Sequence, residues 1–160
     1  GGLAKKIMRA ANASLHRSDE AFVAGLMHDI GKLLLLELPE YRKELVVRKL
    51  TDDQCAWEYE AFGTSHAEAG GYCLGLWAIP ENLLEAVVFH HQPHLAQNKL
   101  FSILTAVHVA DVLISNPTSN NCRQPLKSMD YPYLSEIKML DAIDKWLEVA
   151  ANFRSEVRIL

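Results

Sequence analysis

The sequence predicts an all-α fold, a single helical bundle that forms one domain. Apolar residues recur at helical spacing along almost the whole chain, and no strand-like alternation lasts more than a few residues. Hydrophobic residues make up 49% and charged residues 22% of the 160 positions, which is typical of a globular domain with a sizeable core. Because no repeat or flexible linker divides the chain, we expect one domain over residues 1–160.

The first predicted helix starts at once, with an apolar stripe that includes Leu3 and Ile7. The second is predicted to begin at Ser18, because an N-cap residue type is followed there by two acidic residues. Gly31 is predicted to end this helix, since glycine is favoured just after a helix C-terminus. The predicted buried face of the second helix consists of Phe22, Val23, Leu26 and Ile30.

Helix-breaking and capping residues divide the middle of the chain into short helices. Pro39 is predicted to open the helix "PEYRKELVVRKL", which follows the short helix "LLLLEL". Gly63 closes the next helix, and Ser65 with Glu68 forms the capping-box pattern that opens the following one. Pro80 then begins the helical segment "PENLLEAVVFHH".

The C-terminal part is predicted to contain two long helices separated by a loop. The segment "LFSILTAVHVADVLIS" is apolar enough for a largely buried helix. Residues 116–133 are polar and rich in turn-forming residues, which predicts a surface loop. The last helix is predicted from about Leu134 to Phe153, with one apolar face.

Charge and cysteine content exclude several classes of function. The net charge is −4 and no basic stripe is present, so we expect neither nucleic-acid nor membrane partners. No apolar run is long enough to cross a bilayer, and no export signal opens the chain. Cys55, Cys73 and Cys122 have no paired spacing, which predicts reduced, core-filling thiols in a cytoplasmic protein.

Polar residues interrupt the predicted apolar faces on several separate helices. Histidine and carboxylate side chains together suit iron, manganese or zinc, and the carboxylates favour the harder ions. A dinuclear centre bridged by Asp29 would activate water for attack at phosphorus, and Lys32 would contact a phosphate oxygen. The candidate ligands are His28, Asp29, His66, His90, His91 and Asp111.

Each of these residues taken alone has an ordinary structural explanation. His66 would be a hydrogen-bonding residue at a helix start, and Asp111 would accept a bond from a buried backbone donor. Of the adjacent His90 and His91, one would be buried and one exposed. Their joint occurrence favours a metal centre, because separate helices each offer the ligand types that one centre needs. The remaining histidines, predicted to be core or surface residues, are His16, His94 and His108.

Three segments resemble the HDOD domain, a bacterial signalling relative of the HD phosphohydrolases and the HD-GYP phosphodiesterases. They are "AFVAGLMHDIGK", "EAFGTSHAEAGGYCLGLWAIPENLLEAVVFHHQP" and "AVHVADVL", which span roughly residues 21–113. The resemblance implies the same six metal-binding residues and places Lys32 where the HD superfamily has its phosphate-contacting lysine. Asp29 and Lys32 would then be the catalytic residues of an active enzyme.

Two features depart from the HD pattern. The superfamily has an earlier histidine ligand, whose position here would fall at or just before Gly1. The chain also has "HHQPHLAQNKL" where the cyclic-di-GMP phosphodiesterases carry a glycine-rich "GYP" segment. We therefore hypothesise that residues 1–160 are the HD-like C-terminal portion of a larger HDOD protein, truncated at the N-terminus.

Two functions remain open at this point. The family implies a regulatory module of bacterial signal transduction that binds a signalling protein or a nucleotide, with a divalent metal, iron or manganese, either bound or lost. The alternative is a metal-dependent phosphohydrolase or phosphodiesterase. The missing "GYP" segment favours regulation, whereas the nearly complete ligand set favours metal binding. The sequence does not specify the oligomeric state.

Overall fold

The computed structural model describes residues 1–47, 54–116 and 126–157, and within these ranges it contains helices and no β-strand. The predicted all-α fold is therefore confirmed. Two short 3₁₀ turns, Pro93–Leu95 and Leu140–Ala142, connect some of the α-helices. The α-helices are α1 (Gly2–Ala10), α2 (Leu15–Met27), α3 (Ile30–Leu35), α4 (Pro39–Val47), α5 (Gln54–Phe62), α6 (His66–Leu76), α7 (Glu81–Phe89), α8 (Ile103–Ser115), α9 (Tyr131–Glu136) and α10 (Ile143–Val157).

Helix α8 is the central element of the main core. Ten of its 13 residues are buried, which agrees with the nearly continuous apolar sequence of this segment. Helices α1, α2, α7 and α10 all pack against it, and α1 also packs against α2 and α10. Each large apolar side chain buried here contributes about 1.5–3 kcal/mol of hydrophobic stabilisation. This arrangement brings the ends of α2 and α7 to the same part of α8.

A second, smaller core lies beside the main one and joins α3, α4 and α5. Leu35, Tyr41 and Trp57 are its buried members. The rings of Tyr41 and Trp57 stack with their centroids 5.4 Å apart, and Phe62 packs against both rings. The satellite core, as we call this cluster, is connected to the main bundle chiefly through the packing of α3 on α6.

The predicted end of the second helix at Gly31 is wrong. Helix α2 ends at Met27, and Gly31 lies inside α3. A Cβ atom at this position would lie 1.8 Å from the carbonyl oxygen of His66 and 2.7 Å from the backbone nitrogen of Gly70. Glycine is therefore needed here because α3 and α6 cross with their backbones in contact, a tertiary requirement that mimics the sequence signature of a helix end.

The start of α2 is also corrected, from Ser18 to Ser14. The Ser14 side chain is the N-cap and accepts a hydrogen bond from the backbone N–H of Arg17 at 3.3 Å. Ser18 is fully buried one turn later, and its hydroxyl donates to the Ser14 carbonyl oxygen at 2.9 Å. Both serines are N-cap residue types four positions apart, and the acidic residues after Ser18 made it the predicted N-cap.

Helix α2 buries small residues, whereas the sequence predicted that it would bury its large apolar ones. Of the predicted face, Phe22, Val23 and Leu26 are between 38% and 64% exposed. A Cβ added at Gly25 would lie 2.8 Å from the Cα of Gly1, which shows how closely the start of the chain approaches α2. Close helix packing therefore selects the small side chains. The buried positions of α2 are Ser18, Ala21, Ala24 and Gly25.

The last predicted helix is interrupted, so it forms two separate helices, α9 and α10. Lys138 adopts the left-handed conformation with φ of +58°, a backbone geometry that ends α9. The predicted surface loop is also partly wrong, because Leu126 and Met129 are buried in the main core. Residues 117–125 of that loop, including Cys122, lie outside the described residues.

The boundaries predicted at Pro39, Gly63, Ser65 and Pro80 are confirmed. Helix α4 begins at Pro39, and Gly63 follows α5 with φ of +72°, as its predicted role at a helix end requires. The capping box of Ser65 and Glu68 is present at the start of α6. Pro80 is the N-cap of α7.

Candidate metal centre

His28 and Asp29 lie at the corner between α2 and α3. The last turn of α2 ends at His28, its C-cap, and Asp29 is the N-cap of α3 with φ of −101° and ψ of 9°. Because the chain leaves helical geometry between these residues, adjacent side chains can point to one interior position. The same arrangement of two adjacent polar residues at a helix C-terminus occurs in α7, where His90 is the C-cap and His91 follows it.

The structure brings all six predicted ligands together. Ligand atoms of Asp29, His66, His90 and His91 lie within 4.8 Å of one another. His28 and Asp111 adjoin this group: His28 Nε2 is 3.5 Å from Asp29 Oδ2 and 3.7 Å from Asp111 Oδ1. The residues come from the α2–α3 corner, α6, the end of α7 and α8, so the cluster is a product of the tertiary fold.

The two oxygens of Asp29 face opposite parts of the cluster. Oδ1 lies 3.4 Å from His66 Nε2 and 3.8 Å from His90 Nε2. Oδ2 lies 3.5 Å from His28 Nε2 and accepts a hydrogen bond from Lys32 Nζ at 2.8 Å. Asp29 therefore connects the His66–His90 side of the cluster to the His28–Lys32 side.

A buried carboxylate fixes the orientation of His66. Glu58 Oε2 lies 2.6 Å from His66 Nδ1 and accepts the backbone N–H of His66 at 2.8 Å. Glu58 Oε1 accepts hydrogen bonds from the Tyr41 hydroxyl at 2.7 Å and from Gln54 Nε2 at 2.9 Å. Although burial opposes ionisation of Glu58, the hydrogen bonds from His66 and Tyr41 hold its pKa below the ordinary value. His66 Nδ1 therefore carries the proton, and the lone pair of Nε2 faces the cluster, where His91 Nε2 lies 3.1 Å away.

Backbone carbonyls fix two further rings in the same way. His90 Nδ1 donates to the Val87 carbonyl oxygen at 2.7 Å, and His28 Nδ1 donates to the Gly25 carbonyl oxygen at 3.1 Å. Both rings thus turn Nε2 towards the cluster. Metal-ligating histidines characteristically donate their other ring N–H to a carboxylate or a backbone carbonyl, and three rings here do so.

Two buried atoms in the centre of the cluster have no hydrogen-bond partner within the described ranges. They are Asp29 Oδ1 and His90 Nε2, which lie 3.8 Å apart. Both are acceptors, so neither can satisfy the other. A cation between them would satisfy both, and imidazole with carboxylate is the ligand set of iron, manganese and zinc. The residues present therefore fit a divalent metal ion.

The pKa shifts of His90, His91 and Asp111 favour the protonation state that metal binding needs, whereas the carboxylates of Asp111 and Asp29 outweigh burial at His28 and raise its pKa. Burial, together with neighbouring histidines, lowers the pKa of His91 to about 4 and that of His90 well below its ordinary value. Burial opposes ionisation of Asp111, but the nearby imidazoles, that of His28 above all, lower its pKa to about 2. At neutral pH the cluster thus offers neutral His90 and His91 and an ionised carboxylate.

Sequence reasoning missed the residues that support the ligands. Glu58 lies among aromatic residues in α5, eight positions before His66, and nothing in that segment marks it as buried. His108, interpreted from sequence as an ordinary core or surface residue, is buried and donates through Nδ1 to the His90 carbonyl oxygen at 2.7 Å. By contrast, His16 and His94 lie outside the cluster on exposed positions, so the sequence placed them correctly.

Comparison with known protein families assigns the chain to one family. The profile of the HDOD domain matches residues 1–93. The chain belongs to the HDOD domain family. The matched region contains five members of the cluster, and Asp111 lies beyond it. No curated protein and no solved structure gives a significant match to the chain.

The family assignment confirms the resemblance seen in the sequence. The placement of this HDOD chain as the C-terminal portion of a larger protein stays a prediction. None of the helices in the described ranges has the length and apolar character needed to span a bilayer. Cys55 and Cys73 form no disulfide among the described residues.

Proposed function

We propose that this HDOD domain is a regulatory module of bacterial signal transduction whose binding site is built around a divalent metal. The observation that carries the proposal is the pair of buried acceptors, Asp29 Oδ1 and His90 Nε2, that lack hydrogen-bond partners. Unpaired buried polar groups cost about 1–3 kcal/mol each, so two of them side by side support the proposal that a cation binds between them. We further propose a cytoplasmic location, which the signalling role of the family implies.

The proposed ligand of this site is an anion, such as the phosphate of a nucleotide or of a phosphorylated partner. A bound divalent ion would supply Lewis acidity and positive charge for such a group. The side chains of Asp29 and Lys32 are 38% and 31% exposed, so the site can be reached from solvent. The Lys32 ammonium group, held 2.8 Å from Asp29 Oδ2, is available to pair with the incoming phosphate oxygen.

The second candidate function is metal-dependent phosphohydrolysis. Its support is the position of Asp29 between the His66–His90 side and the His28–Lys32 side of the cluster. An arrangement of this kind suits two ions that hold and activate a water molecule. The missing "GYP" segment argues against cyclic-di-GMP as the substrate, so we rank regulation first.

Metal analysis of the intact protein, purified anaerobically, tests the proposal. We expect bound iron or manganese in the wild type and in His16→Ala, whose histidine is 83% exposed, and none in Asp29→Ala. A wild-type protein that binds no divalent metal on titration would refute the metal centre. Hydrolysis of cyclic dinucleotides or nucleoside phosphates that disappears in Asp29→Ala would favour the enzyme, whereas metal binding without turnover would favour the regulator.

A further inference from the structure

Glu58 is completely buried and collects four hydrogen-bond donors. Two come from His66, through its backbone N–H and Nδ1, and the others are the Tyr41 hydroxyl and Gln54 Nε2. Four donors require an ionised carboxylate, which only accepts hydrogen bonds. We infer that Glu58 is a positioning residue of the metal centre, an inference that rests on the proposed function. It fixes both the tautomer and the direction of the His66 ring, so that Nε2 stays available to the ion.

Glu58 orients a ligand and does not itself serve as one. Cys55, Glu58 and His66 offer a second group of potential ligand atoms within 4.8 Å. Each oxygen of Glu58 already accepts two hydrogen bonds, and His66 Nδ1 donates one of them. A metal at this position would have to displace satisfied partners, whereas the inner cluster contains acceptors that have none.

The same carboxylate connects the metal centre to the satellite core. Tyr41 belongs to α4, its ring is buried, and it stacks on Trp57 of α5. Its hydroxyl bonds to Glu58 Oε1, while Glu58 Oε2 holds His66 at the start of α6. The position of α4 and α5 therefore sets the orientation of one metal ligand. Because coupling between two equilibria is reciprocal, metal binding will in turn stabilise the docking of α4 and α5.

Glu58→Gln is the sharpest test, because it keeps the shape of the side chain and removes its charge. An amide has only one accepting oxygen, so two of the four donors would face an NH₂ group. We expect manganese or iron affinity to fall about 10- to 100-fold, the usual effect of losing such a supporting partner. Glu20→Gln is the matched control, because Glu20 lies beside the exposed His16, with 3.6 Å between His16 Nδ1 and Glu20 Oε2.

A second readout needs no metal. Nitrogen-15 NMR of the His66 side chain in the metal-free protein reports which ring nitrogen carries the proton. We expect Nδ1–H in the wild type and in Glu20→Gln, and a changed tautomer distribution in Glu58→Gln. Tyr41→Phe removes one donor to Glu58, so we expect a smaller loss of metal affinity with the fold retained.

The outcomes separate this inference from the proposed function. Wild-type metal affinity and unchanged His66 resonances in Glu58→Gln would overturn the positioning role. If Glu58→Gln does not fold, Tyr41→Phe decides, and wild-type affinity in that variant would overturn the role. A wild type that binds no metal refutes the proposed function, while a tautomer change in Glu58→Gln would still support the positioning of His66.

Discussion

The contact between Gly31 and α6 permits a quantitative prediction. In Gly31→Ala the new methyl group would lie 1.8 Å from the His66 carbonyl oxygen and 2.7 Å from the Gly70 nitrogen. Both contacts are with backbone atoms, which cannot rotate away as a side chain can. In a close-packed interior, restoring a separation of 3.4 Å to the carbonyl oxygen requires α3 and α6 to move apart by about 1.6 Å.

That displacement would act directly on the candidate metal centre. Asp29 is the N-cap of α3 and His66 is the first residue of α6, and their ligand atoms lie 3.4 Å apart. Functional sites tolerate errors of about 0.5 Å, so a shift three times as large removes the common position of the ligands. We expect metal affinity to fall about 100-fold or more. Overpacking should also lower the free energy of unfolding by about 1–3 kcal/mol.

Urea denaturation and calorimetric metal titration measure the two effects. Gly75→Ala is the control, because a Cβ at that position of α6 meets no atom within 4 Å. This variant should keep its metal affinity and gain about 0.5–1 kcal/mol of stability from the helix propensity of alanine. A Gly31→Ala protein with unchanged stability and unchanged affinity would refute the close approach of the two helices.

Three further changes have defined expected outcomes. Lys32→Ala should leave the metal bound but weaken phosphate binding, measured by titration, because it removes the cation beside Asp29. Ser65→Ala should cost about 1 kcal/mol of unfolding free energy in urea, since it removes the α6 cap. Asp130→Ala should cost a similar amount at pH 7. Burial opposes ionisation of Asp130, but the Tyr133 N–H and His94 lower its pKa. Its contribution to stability is therefore present above about pH 4 and is lost as the pH falls through the lowered pKa of Asp130 in the folded protein. In that pH range the unfolding free energies of the wild type and of Asp130→Ala should converge.

The sequence predicted the fold class and the cluster members because both have local signatures. Helical periodicity and capping residues such as Ser65 appear within short windows, and the histidines stand out against apolar helices. The roles of Glu58 and Gly31 could not be predicted in this way. Each role depends on a contact with α6 that exists only in the folded protein. In sequence, Gly31 resembles an ordinary helix end.

The errors in α2 and in the last helix have the same origin. In α2 the most hydrophobic side chains, such as Leu26, were expected inside, yet the close approach of Gly1 requires a residue as small as Gly25 there. In the last helix the apolar stripe continues through residues 137–142, although Lys138 turns the backbone to the left-handed region. Periodicity reports which residues can be buried, whereas contact distance between helices decides which ones are.

The backbone bonds of His28 and His90 have an entropic consequence. Each ring donates to a carbonyl three residues earlier in its own helix, so its rotamer is chosen when that helix turn forms. Immobilising a free side chain on binding costs about 0.5–1.5 kcal/mol, and for these two rings that cost is met during folding. For these two rings, a bound metal ion would then select only the relative placement of α2 and α7. Its affinity would therefore depend in part on how these two helices pack, which a binding partner could alter without touching the ion.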